Sequence, residues 1–336
     1  MVRRWFTFGL GLMFSALFAY IGFRGLNFSE LVDILTQINA AWLLIAVVIF
    51  FIAVYILTWR WHYLLYPIRD IHPNKLYTVV VIGYMGNNIY PARIGEFIRA
   101  YLLKRNDDVP YAPSLATILI ERIFDGLAML SFVFVALLFV EFDEPLVTNV
   151  VRVTTPLFFI ALGIFTVFAL RPDLAARVYT PVINLLVPGK IREPLLTLIA
   201  HFMSGISALR QPRLFALTAF ATLASWTVEA STYWFVLQAF DFELTFWVLL
   251  LLVGLANLMT ILPSTPGYVG TFHGVAVLTL TAFGVDGEQA GAYAIVMHMV
   301  LWLPITLVGA ALFWQQGMQW RELGRASQVV ESEASA

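Results

Sequence analysis

Cysteine is absent from the 336 residues, so disulfides are excluded and the redox character of the compartment stays open. Charge is scarce too: 12% of the chain is Asp, Glu, Lys or Arg, 21 acidic against 20 basic, and the formal net charge of −1 by itself identifies no partner. No stretch is long and polar enough to form a separate soluble domain. The N-terminal apolar run also lacks a clear small-residue cleavage site, so Arg3 and Arg4 ahead of it read as a signal anchor.

Apolar residues fill the chain instead, 60% of it, with 28 Phe and 10 Trp. A membrane span needs about 20 apolar residues. Runs that approach or exceed this cover Phe6 to Phe23, Ala41 to Trp59, Leu115 to Val140, Val153 to Leu170, Leu214 to Phe240, Leu244 to Leu262 and Ala290 to Trp314. The expected fold is an all-α polytopic membrane protein with one membrane domain over 1–325 and a disordered polar tail over 326–336.

The stretch from Gly83 to Arg105, GYMGNNIYPARIGEFIRAYLLKR, interrupts the pattern with asparagines, a proline, glycines and charges. Backbone that leaves helical geometry at membrane depth has to find its hydrogen bonds in protein or in a wet cavity, so such a segment marks a site. The expectation is a re-entrant hairpin over 78–103, turning at Ile89 to Arg93, with Pro91 and Gly95 setting its geometry. Lys and Arg gather in cytoplasmic loops. Arg3 and Arg4 therefore place the N-terminus inside, and Arg60, Arg69 and Lys75 are expected in the next inner loop. With the hairpin returning to that side, Glu141, Asp143 and Glu144 fall outside, and Arg321 and Arg325 bring the C-terminus inside. A second segment, 244–283, mirrors the first: Pro263, Pro266, Gly267 and Gly270 break it, and acidic residues flank it. Pro91, Gly95 and Phe97 recur at the same spacing as Pro266, Gly270 and Phe272. The expected architecture is thus about six full crossings and two oppositely oriented re-entrant hairpins, an inverted repeat with a binding site near the midplane. Ile191 to Leu209 reads as an amphipathic helix along the cytoplasmic surface. Asn27 with Glu30 resembles a capping box opening a short outer helix.

Charges remain inside apolar segments. Glu121 lies seven residues beyond Ser114, roughly 10 Å along the helix, shares a face with Asp125, and Arg122 reaches Asp125 at i, i+3. Burying one such charge costs about 2.5 to 3.5 kcal/mol, so these groups must meet partners or water. Arg93, Glu96 and Arg99 on the hairpin are the nearest candidates. One interpretation is a closed ion-pair network that holds the hairpin. The other leaves an arginine to an anion, with Arg93 and Arg122 as ligands beside the amides of Asn87 and Asn88, because a guanidinium grips phosphate bidentately and keeps its charge. Glu229, alone amid apolar residues, and His273 are candidates for proton or ion coupling. No third ligand stands near His273 and His298, so no metal is expected.

The block NNIYPARIGEFIRAYLLKR, the later ATILIERIFD and the segment LPSTPGYVGTFHG together resemble the flippase-like membrane proteins of bacteria and archaea that share the transmembrane domain of lysylphosphatidylglycerol synthase. The likeness runs from the first span to Trp314: N-x-x-x-P-x-R-x-G-E stands at Asn87 to Glu96, E-R at Glu121 and Arg122, and P-G-x-x-G at Pro266 to Gly270. It implies translocation or handling of polar lipids in a prokaryotic cytoplasmic membrane. The soluble aminoacyl-transferase domain of the synthase has no counterpart in this sequence, so lysyl transfer is not expected. The leading expectation is a lipid flippase for an anionic phospholipid, isoprenoid phosphate, glycolipid or hopanoid, not an enzyme. It would have no cofactor and no nucleic acid partner; its partners would be membrane lipids and lipid-biosynthetic enzymes. No P-loop is present, so movement would be passive or coupled to protons or ions, with Glu96, Glu121, Asp125 or Glu229 as carriers. The alternatives are a membrane enzyme acting on a lipid phosphate and a non-transporting scaffold of a lipid-modifying complex.

Overall fold

A computed structural model of the chain describes residues 2–90, 93–140, 145–187, 211–240, 242–260 and 265–317, with 189, 192 and 196 between them. Every regular element among the described residues is helical. In chain order they are α1 (Val2–Phe23), α2 (Phe28–Gln37), α3 (Ala40–Leu65), α4 (Pro73–Ile89), α5 (Ile94–Asp107) and α6 (Tyr111–Phe139). There follow α7 (Pro145–Leu170), α8 (Pro172–Leu186), α9 (Pro212–Leu237), α10 (Phe246–Met259), a 3-10 turn (Pro266–Tyr268), α11 (Thr271–Ala282) and α12 (Gly287–Gln315). Among the described residues α3, α6, α9 and α12 are long and apolar enough to cross a membrane. The expected crossings α1 and α7 are helical over 22 and 26 residues but fall outside that group.

The two interrupted segments fold as helical hairpins. Arms of 17 and 14 residues in α4 and α5, and of 14 and 12 in α10 and α11, measure about 26, 21, 21 and 18 Å at the standard rise. All are shorter than the roughly 30 Å of a hydrocarbon core. Small residues let the first pair touch: a Cβ on Gly95 would run into the Gly83 carbonyl, and one on Gly83 would meet Arg99 Cγ at 2.6 Å. The turns share an unusual backbone. Arg93 and Tyr268, the third residue of each P-x-x-x-G-x-F segment, both take positive φ, 54° and 60°. A bulky residue held there costs of order 1 to 3 kcal/mol, so its recurrence at matching positions marks a repeated structure.

Helix pairing carries the same pattern. The α3 helix packs along α9, α6 along α10 and α12 along α4. Exchanging the unit α3 to α6 with the unit α9 to α12 maps α3/α9 onto itself and α6/α10 onto α12/α4. It likewise maps α4/α5 onto α10/α11 and α5/α6 onto α11/α12. The central pair is antiparallel, because Trp42 near the start of α3 stacks on Phe235 near the end of α9, centroids 6.1 Å apart. At the same end the Asn39 N–H donates to the Ala239 carbonyl at 3.4 Å. Outside the two units, α1 lies on α11, where Gly270 and Gly274 pass beneath the backbone of Ser15 and Phe18.

Two expectations are corrected. Arg60 is not in a loop: α3 continues to Leu65, with Leu57, Trp61 and Leu64 on a buried face, and Arg60 is fully buried within it. The Asn27 side chain does cap α2, accepting from Ser29 N at 3.2 Å, but the Asn27 N–H donates to Glu288 of α12 at 2.9 Å rather than to Glu30. The first hairpin also reaches beyond its expected limits of 78–103, from Pro73 to Asp107, while the helices of the second lie within 244–283. Pro91, Pro263, the acidic loop at 141–144, most of the amphipathic segment 191–209 and the tail 326–336 lie outside the described residues.

Because Gly95 is in backbone contact with α4, Gly95→Ala is expected to lower stability by about 1 to 3 kcal/mol through overpacking. Gly126→Ala on α6, where nothing lies within 4 Å of the added carbon, is expected to be neutral or mildly stabilising. Thermal unfolding of the detergent-solubilised variants followed by circular dichroism distinguishes the two.

Candidate functional site

The site grows from two carboxylates one helical turn apart. Glu121 and Asp125 on α6 both face Arg60 of α3, which bonds Asp125 Oδ1 through Nη1 and Glu121 Oε1 through Nη2 at 3.3 Å. From the first hairpin, Arg99 Nη2 reaches Glu121 Oε2 at 2.6 Å. Its guanidinium lies 3.8 Å over the Trp61 ring, and Trp61 Nε1 donates to Thr117 Oγ1 at 3.1 Å. On the other side, Arg122 Nη2 lies 3.2 Å from Asp125 Oδ2 and its Nε 3.7 Å from Glu96 Oε1. Arg93 Nε completes the series at 3.3 Å from Glu96 Oε1. Trp226 of α9 donates through Nε1 to Asp125 Oδ1 at 2.7 Å.

These contacts form one chain of strictly alternating sign, Arg93–Glu96–Arg122–Asp125–Arg60–Glu121–Arg99. Each carboxylate sits between two guanidiniums, and both ends are cations. Four positive groups against three negative ones leave one positive charge. The two ends differ in access. The Arg60 and Glu121 side chains are 0% exposed and Arg99 is 6%, whereas Arg93 is 33% and Arg122 29% exposed. The Nε atoms of all four arginines lack a well-formed hydrogen bond, so the difference between the ends lies in access alone. Arg60 and Glu121 are thus sealed away and Arg99 is stacked and borders the cavity with little exposure, whereas Arg93 and Arg122, the open end, face that cavity with accessible side chains.

That cavity holds about 1100 Å³ of space, its open mouth included. Both hairpins line it, the first through Asn87, Arg93 and Glu96 and the second through Gly267, Tyr268 and Thr271. Gly267 is required at the second turn by close approach as well as by its φ of +67°, since a Cβ there would meet Trp302 Nε1 at 2.5 Å. Glu229 and Tyr233 of α9, Asn257 and Thr260 of α10 and His298 of α12 add to the polar wall. Glu229 is 8% exposed and makes no hydrogen bond or ion pair among the described residues.

The other residues singled out in the sequence separate by role. Asn87 Oδ1 accepts from Gly95 N at 2.9 Å and so ties the two arms of the hairpin. Asn88 Nδ2 donates to Thr306 Oγ1 at 2.8 Å and to the Trp302 carbonyl at 3.3 Å, which commits its donors to α12. His273 does not line the cavity: its Nδ1 accepts from Gly270 N at 3.4 Å and its ring packs against His298, centroids 4.7 Å apart. Pro266 and Gly270 bracket the turn that precedes α11. No cluster of three or more His, Cys, Asp or Glu residues that could hold a metal ion occurs among the described residues. Sequence reasoning missed Arg60, Trp61 and Trp226. The period of Leu57, Trp61 and Leu64 was the available signal that α3 runs past Trp59 with an inward face.

A family model described as the lysylphosphatidylglycerol synthase TM region matches residues 8–309, a span that contains the whole ion-pair chain and both hairpins. The chain belongs to this family. Members similar to it include a UPF0104 membrane protein of Methanocaldococcus jannaschii, 25% identical over 233 residues, or 68% of this chain and 92% of that protein. Another, from Methanothermobacter thermautotrophicus, is 25% identical over 289 residues, 79% of this chain and 82% of the relative. Glycosyltransferase AglD of Haloferax volcanii is 25% identical over 351 residues, which are 92% of this chain and 54% of AglD. The chain therefore spans about half of that last protein. As a member of the family it is a multi-pass membrane protein.

Removing Arg60 leaves Glu121 with Arg99 and Asp125 with Arg122 as their remaining guanidiniums and breaks two buried ion pairs, a loss of about 3 to 5 kcal/mol. Arg60→Met is therefore expected to give little monodisperse protein on size exclusion, whereas Arg93→Gln at the open end should shift the melting midpoint by the equivalent of about 1 kcal/mol or less.

Proposed function

We propose that this protein moves an anionic polar lipid between leaflets, holding the headgroup phosphate at the open end of the ion-pair chain while the tail stays in hydrocarbon. The observation that carries this reading is the surplus guanidinium: a charge chain that ends on an accessible arginine, at a cavity lined by both hairpins. A buried surplus charge is costly unless an anion or water meets it, and the forked guanidinium geometry suits phosphate.

In this reading the two hairpins enter the bilayer from opposite faces, as an inverted repeat. Support comes from arms too short to span, matching positive-φ turns and the antiparallel α3/α9 pair. The cavity then lies near the midplane, both termini are cytoplasmic, and the protein resides in a prokaryotic cytoplasmic membrane alongside lipid-biosynthetic enzymes. AglD, by its name, suggests a second reading, an enzyme acting on a lipid phosphate. Three of the four carboxylates here are locked between guanidiniums, which leaves Glu229 and His298 as acid–base groups and favours transport.

In proteoliposomes containing fluorescent NBD-phosphatidylglycerol, wild-type protein should expose the inner-leaflet label to dithionite. Arg93→Gln and Arg122→Gln should each slow this at least about tenfold, the scale of one lost charge-assisted contact, with elution volume unchanged. Full-rate exposure by either variant makes that arginine structural. Since the chain has no cysteine, single cysteines at Asp107 and Asp286 report sidedness cleanly, and they should label from opposite faces of the membrane. Labelling from one face would remove the inverted arrangement.

A further inference from the structure

A proton arriving at Glu96, Asp125 or Glu121 would break ion pairs on both sides. Glu96 lies between Arg93 and Arg122, Asp125 between Arg122 and Arg60 with the Trp226 N–H on it, and Glu121 between Arg60 and Arg99. Glu229 has no such neighbour. It is buried to all but 8%, lines the cavity that Arg93 and Arg122 face, and is unpaired among the described residues. The helices α3, α6, α10 and α12 pack against its own helix. The charged and titratable groups they turn toward it are Asp125 and Arg122 from α6, with Arg60 of α3 behind Asp125, and His298 from α12. The first hairpin adds Tyr84 and, across the cavity, Arg93, Glu96 and Arg99, the second adds Tyr268, Glu229's own helix adds Tyr233, and α10 brings the neutral Asn257 and Thr260.

Charge balance then couples two events. With the cavity empty, an ionised Glu229 offsets the surplus guanidinium of the chain. A phosphodiester brings one further negative charge into a site largely removed from water, where an unbalanced charge costs several kcal/mol. A proton on Glu229 restores neutrality. We propose that Glu229 is a proton-binding site linked to the anion site, taking up one proton for each phosphodiester headgroup received at Arg93 and Arg122, so that lipid and proton travel together. The proton passes from solvent at the cavity mouth to a carboxylate oxygen, and no other bond changes. This inference rests on the lipid-phosphate reading given above.

The sign of the linkage is fixed. Binding that takes up a proton weakens as pH rises. Between the titration of Glu229 in the empty site and its titration in the occupied site, the window in which uptake is measured, the Kd should therefore rise about tenfold per pH unit, and in Glu229→Gln it should be flat. The test uses the full chain in detergent, weakly buffered with an indicator dye, titrated with NBD-phosphatidylglycerol and separately with water-soluble glycerophosphoglycerol, which carries the same phosphodiester. Wild-type protein should absorb about one proton per probe bound, and Glu229→Gln should bind with none. Binding by wild-type protein without proton uptake overturns the proposal, whatever the variant does, and so does undiminished uptake in Glu229→Gln. Equal binding and uptake with glycerophosphoglycerol would uphold the proton linkage while removing the lipid reading. Binding of neither probe removes both.

Discussion

The carboxylate of Glu121 cannot exist where it is without Arg60 and Arg99. It is fully buried on a helix long and apolar enough to cross a membrane, and two guanidiniums from two other elements meet its two oxygens. A buried ion survives only with good geometry and further hydrogen bonds on its partners. Asp125 extends the same solution outward through Arg60, Arg122 and the Trp226 N–H. Because these partners come from α3, α5, α6 and α9, the ion pairs fix how three helices sit together and the indole hydrogen bond adds the fourth. The hairpin cannot leave α6 without exposing charge to hydrocarbon, so its position is set by electrostatics as much as by its small-residue contact with α4.

The repeat keeps its geometry and discards its chemistry. Arg93 corresponds to Tyr268, Glu96 to Thr271 and Arg99 to Gly274 when the two P-x-x-x-G-x-F segments are aligned. Arg93 and Tyr268 match in φ, yet the guanidiniums of the cavity wall all come from the first unit, and the second contributes hydroxyl and aromatic groups, His298 and the carboxylate of Glu229. A two-fold scaffold with a one-sided lining gives a ligand a defined polarity: one wall attracts charge and the other provides shape and hydrogen-bonding groups.

Much of this was legible in the chain. The Pro/Gly-broken segments, the repeated motif and the misplaced charges of Glu121, Arg122 and Asp125 all follow from what hydrocarbon forbids. Arg60 did not, because an arginine after a long apolar run normally ends a span, and the rule that basic residues mark inner loops placed it in solvent. Only tertiary contact reveals that its partners wait on α6. The Asn87 and Asn88 amides, picked out by their position beside the turn, do line the cavity, and the structure adds that Asn87 Oδ1 also ties the hairpin at Gly95 while Asn88 Nδ2 binds α12. Glu229 was conspicuous in sequence, but its lack of a partner among the described residues is a property of the folded cavity.

The contact between α1 and the second hairpin has a mechanical corollary. Gly22, Gly270 and Gly274 remove the side-chain layer between the two helices, and Ser15 Oγ both accepts from Thr265 N at 3.0 Å and donates to Thr265 Oγ1 at 3.1 Å. Backbones so close cannot slide past one another without collision. The N-terminal helix and the second hairpin therefore behave as one stiff piece, and a load on α1 would bear on that hairpin directly and reach the arginine-bearing one only through the turn at Gly267, which lies against Asn88.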